Sequence, residues 1–162
     1  MESAKCKMVR SPGSIQPFAA NPSYWEYKGK PLVLLGGSND DNLYQWTGEE
    51  LTEHLDLLIT VGGNYLRNTM SDRDPGNVFA FKKVDSSKYD LTLWNKCYWN
   101  RLDKFLEETE KREIIIQLTL WDQHDHGRQY WEKHPWNGKN NVNYDISLVT
   151  DRDDFYGTVK KV

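Results

Sequence analysis

The sequence predicts an α/β fold in which an N-terminal β-hairpin precedes about three strand–helix units. Apolar runs of strand length alternate with segments whose apolar residues recur at helical spacing, which is typical of a parallel sheet with crossover helices. The loops that follow the predicted strands are long and polar, whereas those before Asn64 and Ile114 are very short. A (β/α)8 barrel or an open α/β sheet builds its site with this asymmetry.

The hairpin is expected within Tyr24–Gly37, with Tyr24–Tyr27 and Pro31–Leu35 as its arms and Lys28–Lys30 as its turn. Leu32–Leu35 is an unbroken apolar run, as in a strand that is covered on both faces. The Gly-rich segment after it lacks the third glycine of a dinucleotide fingerprint, and its acidic residues would repel phosphate, so nucleotide binding is excluded.

A first helix follows, with Thr47 as its N-cap and Glu50 completing a capping box. Its apolar face consists of Leu51, Leu55, Leu58 and Ile59, and Gly62–Gly63 ends it.

The second strand is expected at Asn64–Thr69, and a long loop at Met70–Lys88. A helix over residues 94–112 is predicted by Tyr98, Leu102, Phe105 and Leu106. The β-branched run Ile114–Trp121 is the third strand. After a loop of nearly thirty residues, Thr150 opens a last helix with the stripe Phe155, Val159 and Val162.

Length and composition exclude several classes of protein. A chain of 162 residues with 38% hydrophobic and 28% charged residues predicts one globular domain. A net charge of -3 without a basic stripe argues against nucleic acid, and no apolar run is long enough for a membrane span. The first twenty residues lack a signal-like apolar core, which predicts a cytoplasmic protein if the N-terminus is complete and a secreted one otherwise.

The run HPWNGKNNVN, residues 134–143, combines a tryptophan with four asparagines in a loop. Amides that donate and accept hydrogen bonds beside an aromatic face suit a sugar. The alternative interpretation is structural: asparagines that cap turns, and a Trp136 that pins the loop to the body.

Several segments resemble cellulase-like glycoside hydrolases with a (β/α)8 barrel. NPSYWEYKGKPLVLLGG is similar to the hairpin and first strand of that family, NYLRNT to its second strand, and IIIQLTLWDQHDHG to its third strand and the loop after it. HPWNGKNNVN resembles an HPFNxxNNxNG-type loop of some members. The resemblance covers about residues 20–160 and implies a partial (β/α)8 barrel at 21–162 behind an N-terminal extension at 1–20.

This resemblance also implies site residues. Arg67 matches the arginine that hydrogen-bonds the nucleophile carboxylate, and Trp121 and His124 fall where family members line sugar subsites. The loop contributes Trp136, Asn137, Asn140 and Asn141. Both catalytic glutamates belong to strands that have no counterpart here, so no catalytic residue is assigned and no glycosidase activity is expected of this chain alone.

Other functions stay open. The chain could be a non-catalytic carbohydrate-binding or assembly module, a homo-oligomer, or one half of a barrel completed by a C-terminal partner chain, because open sheet edges invite association. The WDQHDHG stretch offers Asp122, His124, Asp125 and His126 to a metal, but one short loop rarely supplies all ligands, so neither a metal nor a cofactor is expected. Cys6 and Cys97 could form one bridge, although two thiols are expected.

Overall fold

The computed structural model describes residues 14–122, 124–126 and 128–144, and divides the chain into two compact units, Met1–Leu35 and Gly36–Val162. Seven short strands and three helices are present in this part of the chain. The strands are β1 (Gln16–Pro17), β2 (Trp25–Tyr27), β3 (Lys30–Leu32), β4 (Tyr65–Thr69), β5 (Phe81–Lys83), β6 (Tyr89–Trp94) and β7 (Ile115–Thr119), and the helices are α1 (Glu49–Thr60), α2 (Lys96–Lys111) and α3 (Arg128–Trp131).

The N-terminal unit is a three-stranded antiparallel sheet in the order β1-β2-β3. The predicted hairpin is confirmed, since Trp25 pairs with Leu32 and the turn at Lys28–Gly29 uses positive φ at both residues. The prediction that Leu32–Leu35 is a strand covered on both faces is wrong. The strand ends at Leu32, and Val33 and Leu35 expose 61% and 58% of their surface. Apolar composition alone does not reveal whether another layer covers a segment.

The core of the second unit lies between α1, α2 and β4. Leu51, Leu55 and Leu58 of α1 are buried with Leu66 of β4, while α2 contributes Tyr98, Leu102 and Phe105. These are the apolar stripes that the helical spacing predicts, although Ile59 and Leu106 are exposed at their edges. A 3-10 turn at Leu43–Gln45 covers the end of this core with Leu43 and Tyr44.

The helix boundaries differ slightly from the predicted ones. Gly48, with φ of 69°, is the N-cap of α1 and no side chain caps the helix, so the expected capping role of Thr47 is wrong. The left-handed backbone at Gly48 explains this, because glycine adopts it without strain. Asn95 caps α2 by accepting a hydrogen bond from the Cys97 backbone N–H, and Trp94 before it belongs to β6 rather than to the helix.

One parallel pair joins the two predicted strands of this unit. β4 runs beside β7 in register from Tyr65 opposite Ile115 to Thr69 opposite Thr119. Helix α2 lies between the two strands in the chain and packs against β7. The carboxyl ends of both strands therefore lie side by side.

Strand β5 of an antiparallel hairpin, β5–β6, lies in the segment Met70–Lys88 that the sequence predicts to be loop, and β6 follows that segment. A three-residue strand such as β5 carries too few alternations for the pattern to register. The loop after α3 joins this hairpin, because the Tyr89 backbone bonds Asn140 and Val142.

The predicted fold class, a partial (β/α)8 barrel with three strand–helix units, is wrong. The described residues form three separate small sheets, of which two are antiparallel, and only one parallel pair is present. The prediction counted the hairpin arm before Gly36 as the first barrel strand, but that arm pairs within the antiparallel N-terminal sheet. The helix expected from Thr150 lies outside the described residues. No helix in the described part is long and apolar enough to cross a membrane.

Candidate functional site

The chain turns polar directly after the two parallel strands. Ser71, Asp72 and Arg73 follow β4, and Asp122 and Asp125 follow β7. Because β4 and β7 are parallel neighbours, these side chains meet at one edge of the sheet, the place where α/β proteins build ligand sites. The grouping includes a carboxyl pair that the sequence motifs did not single out.

Arg73 holds this edge together. Its Nη2 donates to both carboxylate oxygens of Asp41 at 3.0 Å, and its Nη1 donates to Asp125 at 3.3 Å and also to Asp122. Nη1 also donates to the Ser71 hydroxyl at 2.7 Å. One guanidinium thus links three loops, and it faces three carboxylates, so the cluster keeps a net negative charge.

Asp72 and Asp125 are neighbours, because the Asp72 backbone N–H donates to Asp125 at 3.1 Å. Burial, and then the neighbouring Asp125 carboxyl group, raise the pKa of Asp72 to about 8. Burial also raises the pKa of Asp125, whose oxygens accept hydrogen bonds from the Ser71 hydroxyl and the Asp72 backbone N–H. At neutral pH Asp72 therefore carries a proton.

One oxygen of Asp72 is unpaired. Asp72 Oδ1 is buried and has no hydrogen-bond partner among the described residues. Leaving a charged carboxylate oxygen without a donor is costly, which favours the protonated form of Asp72.

An aromatic cleft opens above the carboxyl pair. It encloses about 630 Å³, including space open to solvent, and both Asp72 and Asp125 line it. Its aromatic wall runs continuously: Trp136 meets Phe81 edge to face at 5.5 Å, Phe81 stacks on Trp94 at 5.5 Å, and Trp94 meets Trp99 at 5.2 Å. Elements β5, β6, α2 and the loop after α3 all supply rings to this wall.

Two histidines hold Trp121 in the same cleft. The Trp121 indole lies parallel to the His126 ring, with centroids 4.4 Å apart, and His126 in turn contacts His134 at 4.5 Å. Burial lowers the pKa of His134 to about 3, and burial also lowers that of His126. Both rings are therefore neutral at physiological pH, and the cleft gains no positive charge from them.

The sequence-predicted site residues divide into two groups. Trp121 and Trp136 line the cleft, and Trp121 exposes 46% of its surface. Arg67 and His124 are exposed and are not among the described residues that line it. Arg67 lies in the middle of β4, whereas the resemblance implies a strand end.

The three predicted amides bind backbone within their own loop. Asn137 donates to the Trp131 carbonyl at 3.1 Å, and Asn140 donates to the carbonyls of Glu132 and His134. Asn141 donates to Pro135 and Asn137 and accepts from two later backbone N–H groups. For these amides the structure matches the structural alternative, while the loop's Trp136 is only half-buried and faces the cleft.

Sequence reasoning missed Asp72, Trp94 and Trp99. Asp72 follows a strand end directly, a signal that could have been used. The sequence predicts one helix that contains both Trp94 and Trp99. In the structure Trp94 ends β6, and the β6–α2 junction brings both rings to one wall.

The described residues contain no group of three His, Cys, Asp or Glu side chains that could hold a metal ion. Two of the acidic residues considered as ligands, Asp122 and Asp125, bind Arg73 instead. Cys97 is exposed at the start of α2, and Cys6 lies outside the described residues.

Comparison with known proteins gives one match. A family model described as a domain of unknown function (DUF6298) matches residues 73–148, which include β5, β6, α2, β7 and the loop with Trp136. No curated protein and no solved structure matches the chain.

Proposed function

We propose that this chain binds carbohydrate in the aromatic cleft. The observation that carries the proposal is the set of four tryptophans, Trp94, Trp99, Trp121 and Trp136, around one cleft with a carboxyl pair at its base. Indole faces stack on the apolar faces of sugar rings, and carboxyl oxygens hydrogen-bond hydroxyl groups.

The make-up of the cleft supports the proposal. Small-molecule sites usually combine apolar and aromatic walls with a few polar groups. The cleft has aromatic walls, and its acidic groups are Asp72, Asp122 and Asp125. The resemblance of the loop at 134–143 to a loop of cellulase-like enzymes points in the same direction.

The carboxyl pair favours binding over glycoside hydrolysis. Retaining glycosidases place two carboxyl groups about 5–5.5 Å apart, and inverting enzymes about 6.5–9.5 Å apart. The Asp72 backbone N–H donates to the Asp125 carboxyl group at 3.1 Å, so the two residues adjoin each other and do not flank a substrate bond. We therefore assign the cleft to recognition and name no catalytic residue.

The proposal is tested by replacing Trp121. Trp121→Ala should reduce the affinity for a soluble β-glucan oligosaccharide by roughly tenfold or more, because ring stacking contributes about 1–3 kcal/mol by analogy with base stacking. The folded state should lose little stability, because Trp121 is nearly half exposed. Calorimetric titration measures the affinity, and thermal melting checks the fold.

Trp25→Ala provides the matched control. Trp25 is similarly exposed, at 44%, but belongs to β2 of the N-terminal unit and is not among the residues that line the cleft. We expect the Trp25→Ala variant to bind the oligosaccharide with the same affinity as the unmodified chain. Equal affinity of the Trp121 variant and the unmodified chain would refute the proposed site.

A further inference from the structure

We propose that the cleft selects sugars that carry a protonated amine over neutral sugars, and excludes uronic acids. This inference rests on the proposed carbohydrate binding and specifies the ligand class of the same site. The inference combines two features of the cleft, the negative charge of its lining residues and the tryptophan rings of its wall.

The first step is the charge of the lining. The acidic residues Asp72, Asp122 and Asp125 line the cleft, and no lysine or arginine appears among its described lining residues. Arg73 is shared with Asp41 and cannot balance the cluster. Lys133 and Arg73 line a neighbouring hollow, which shares Asp72, Asp125 and His134 with the cleft. A carboxylate ligand would therefore meet charges of its own sign.

The second step is the aromatic wall. A cation within about 6 Å of an indole face is attracted by the ring quadrupole, and tryptophan gives the strongest such interaction. Four tryptophans around one negatively charged base can surround an ammonium group. A sugar with one amine satisfies both features at once, because its ring stacks while its ammonium group approaches the carboxyl groups.

The third step concerns Asp72. Its side chain lines the cleft beside Asp125, so an amine bound in the cleft would approach this carboxyl group. An ammonium group is a donor with three N–H bonds and favours the ionised carboxylate. Binding of the amine should therefore displace the proton that Asp72 carries.

The experiment compares three trisaccharides that differ only at carbon 2: the β-1,4 trimers of glucosamine, glucose and N-acetylglucosamine. At about pH 5 the sugar amine is protonated, and Asp72, with a pKa of about 8, is protonated before binding. We expect the glucosamine trimer to bind about tenfold more tightly than the glucose trimer, as a charge-assisted hydrogen bond exceeds a neutral one. A trimer of glucuronic acid should not bind measurably.

Two further readouts use the unmodified chain. Raising the salt concentration should reduce the preference for the glucosamine trimer, because screening weakens charge pairs and leaves stacking in place. Titration in two buffers of different ionisation enthalpy should show a proton released with the glucosamine trimer and none with the glucose trimer.

Asp72→Asn is the matched variant, since the amide keeps the shape of the side chain and removes its ionisable group. We expect the preference of this variant for the glucosamine trimer over the glucose trimer to fall. We also expect the proton release to disappear. Equal affinities for the glucosamine and glucose trimers would overturn this inference and leave the proposed function intact. Binding of none of the trimers would refute the proposed function itself.

Discussion

At the residue scale, the unequal hydrogen bonding of two neighbouring carboxyl groups determines which of them keeps its charge. Asp125 receives donors from Ser71, the Asp72 backbone and Arg73, whereas Asp72 Oδ1 has no partner in the described part of the chain. Burial, and then the neighbouring Asp125, raise the pKa of Asp72 to about 8 and keep a proton on it at neutral pH. The lining of the cleft is thus acidic, yet Asp72 holds a proton at neutral pH.

This asymmetry predicts how stability varies with pH. Asp72 has a folded pKa of about 8, raised above its ordinary value of 3.8, so the folded state binds the proton more tightly than the unfolded chain. The stability that the protonated Asp72 side chain contributes is fully present below about pH 4. It is lost progressively as the pH rises, and the loss is complete at about pH 8.

We therefore expect Asp72→Asn, which mimics the protonated side chain, to gain stability relative to the unmodified chain as pH rises from about 4 to 8. The gain should be on the order of a few kcal/mol and should level off above pH 8. Urea unfolding across this pH range measures it, and a difference that does not change with pH would show that Asp72 titrates normally.

At the scale of elements, regular spacing of apolar residues over a long segment predicts secondary structure well, whereas short segments predict it poorly. The stripes of α1 and α2, the parallel strands β4 and β7, and the N-terminal hairpin follow from apolar patterns. The β5–β6 hairpin does not, because Phe81–Lys83 offers one buried residue and two exposed lysines. In the loop at 134–143, the sequence predicts a ring at the cleft, but it cannot tell that the amides bind their own backbone.

Gly36 provides a test of how β4 is packed. A Cβ atom at Gly36 would overlap the backbone carbonyl of Tyr65 at the start of β4, so only glycine fits without a shift of the strand. Gly36→Ala should lower the free energy of unfolding by about 1–3 kcal/mol, the usual cost of overpacking.

Gly37→Ala is the matched control, because nothing lies within 4 Å of the position its Cβ would take. It should change stability by less than about 0.5 kcal/mol. Denaturant unfolding of both variants makes the comparison, and equal costs would contradict the close approach of Gly36 to β4.

At the scale of the whole molecule, one parallel strand pair and four aromatic-bearing segments suffice to build the cleft. The described residues do not form the barrel predicted from family resemblance, yet Trp121 and Trp136, which the resemblance implies to contact sugar, line the same cleft. The positions of Trp121 and Trp136 could be predicted from short local motifs, because each ring follows a strand or a short turn. The number of strands could not be predicted, because sheet membership depends on pairing between distant segments.

The most direct test of carbohydrate binding in this cleft uses the indole N–H resonances of all seven tryptophans. During titration with a β-1,4 glucosamine or glucose trimer, the signals of Trp94, Trp99, Trp121 and Trp136 should shift together and saturate. Those of Trp25 and Trp46, which are not among the cleft-lining residues, should stay in place. The account is contradicted if none of the indole signals moves at millimolar sugar, or if the shifts fall on Trp25 and Trp46 instead.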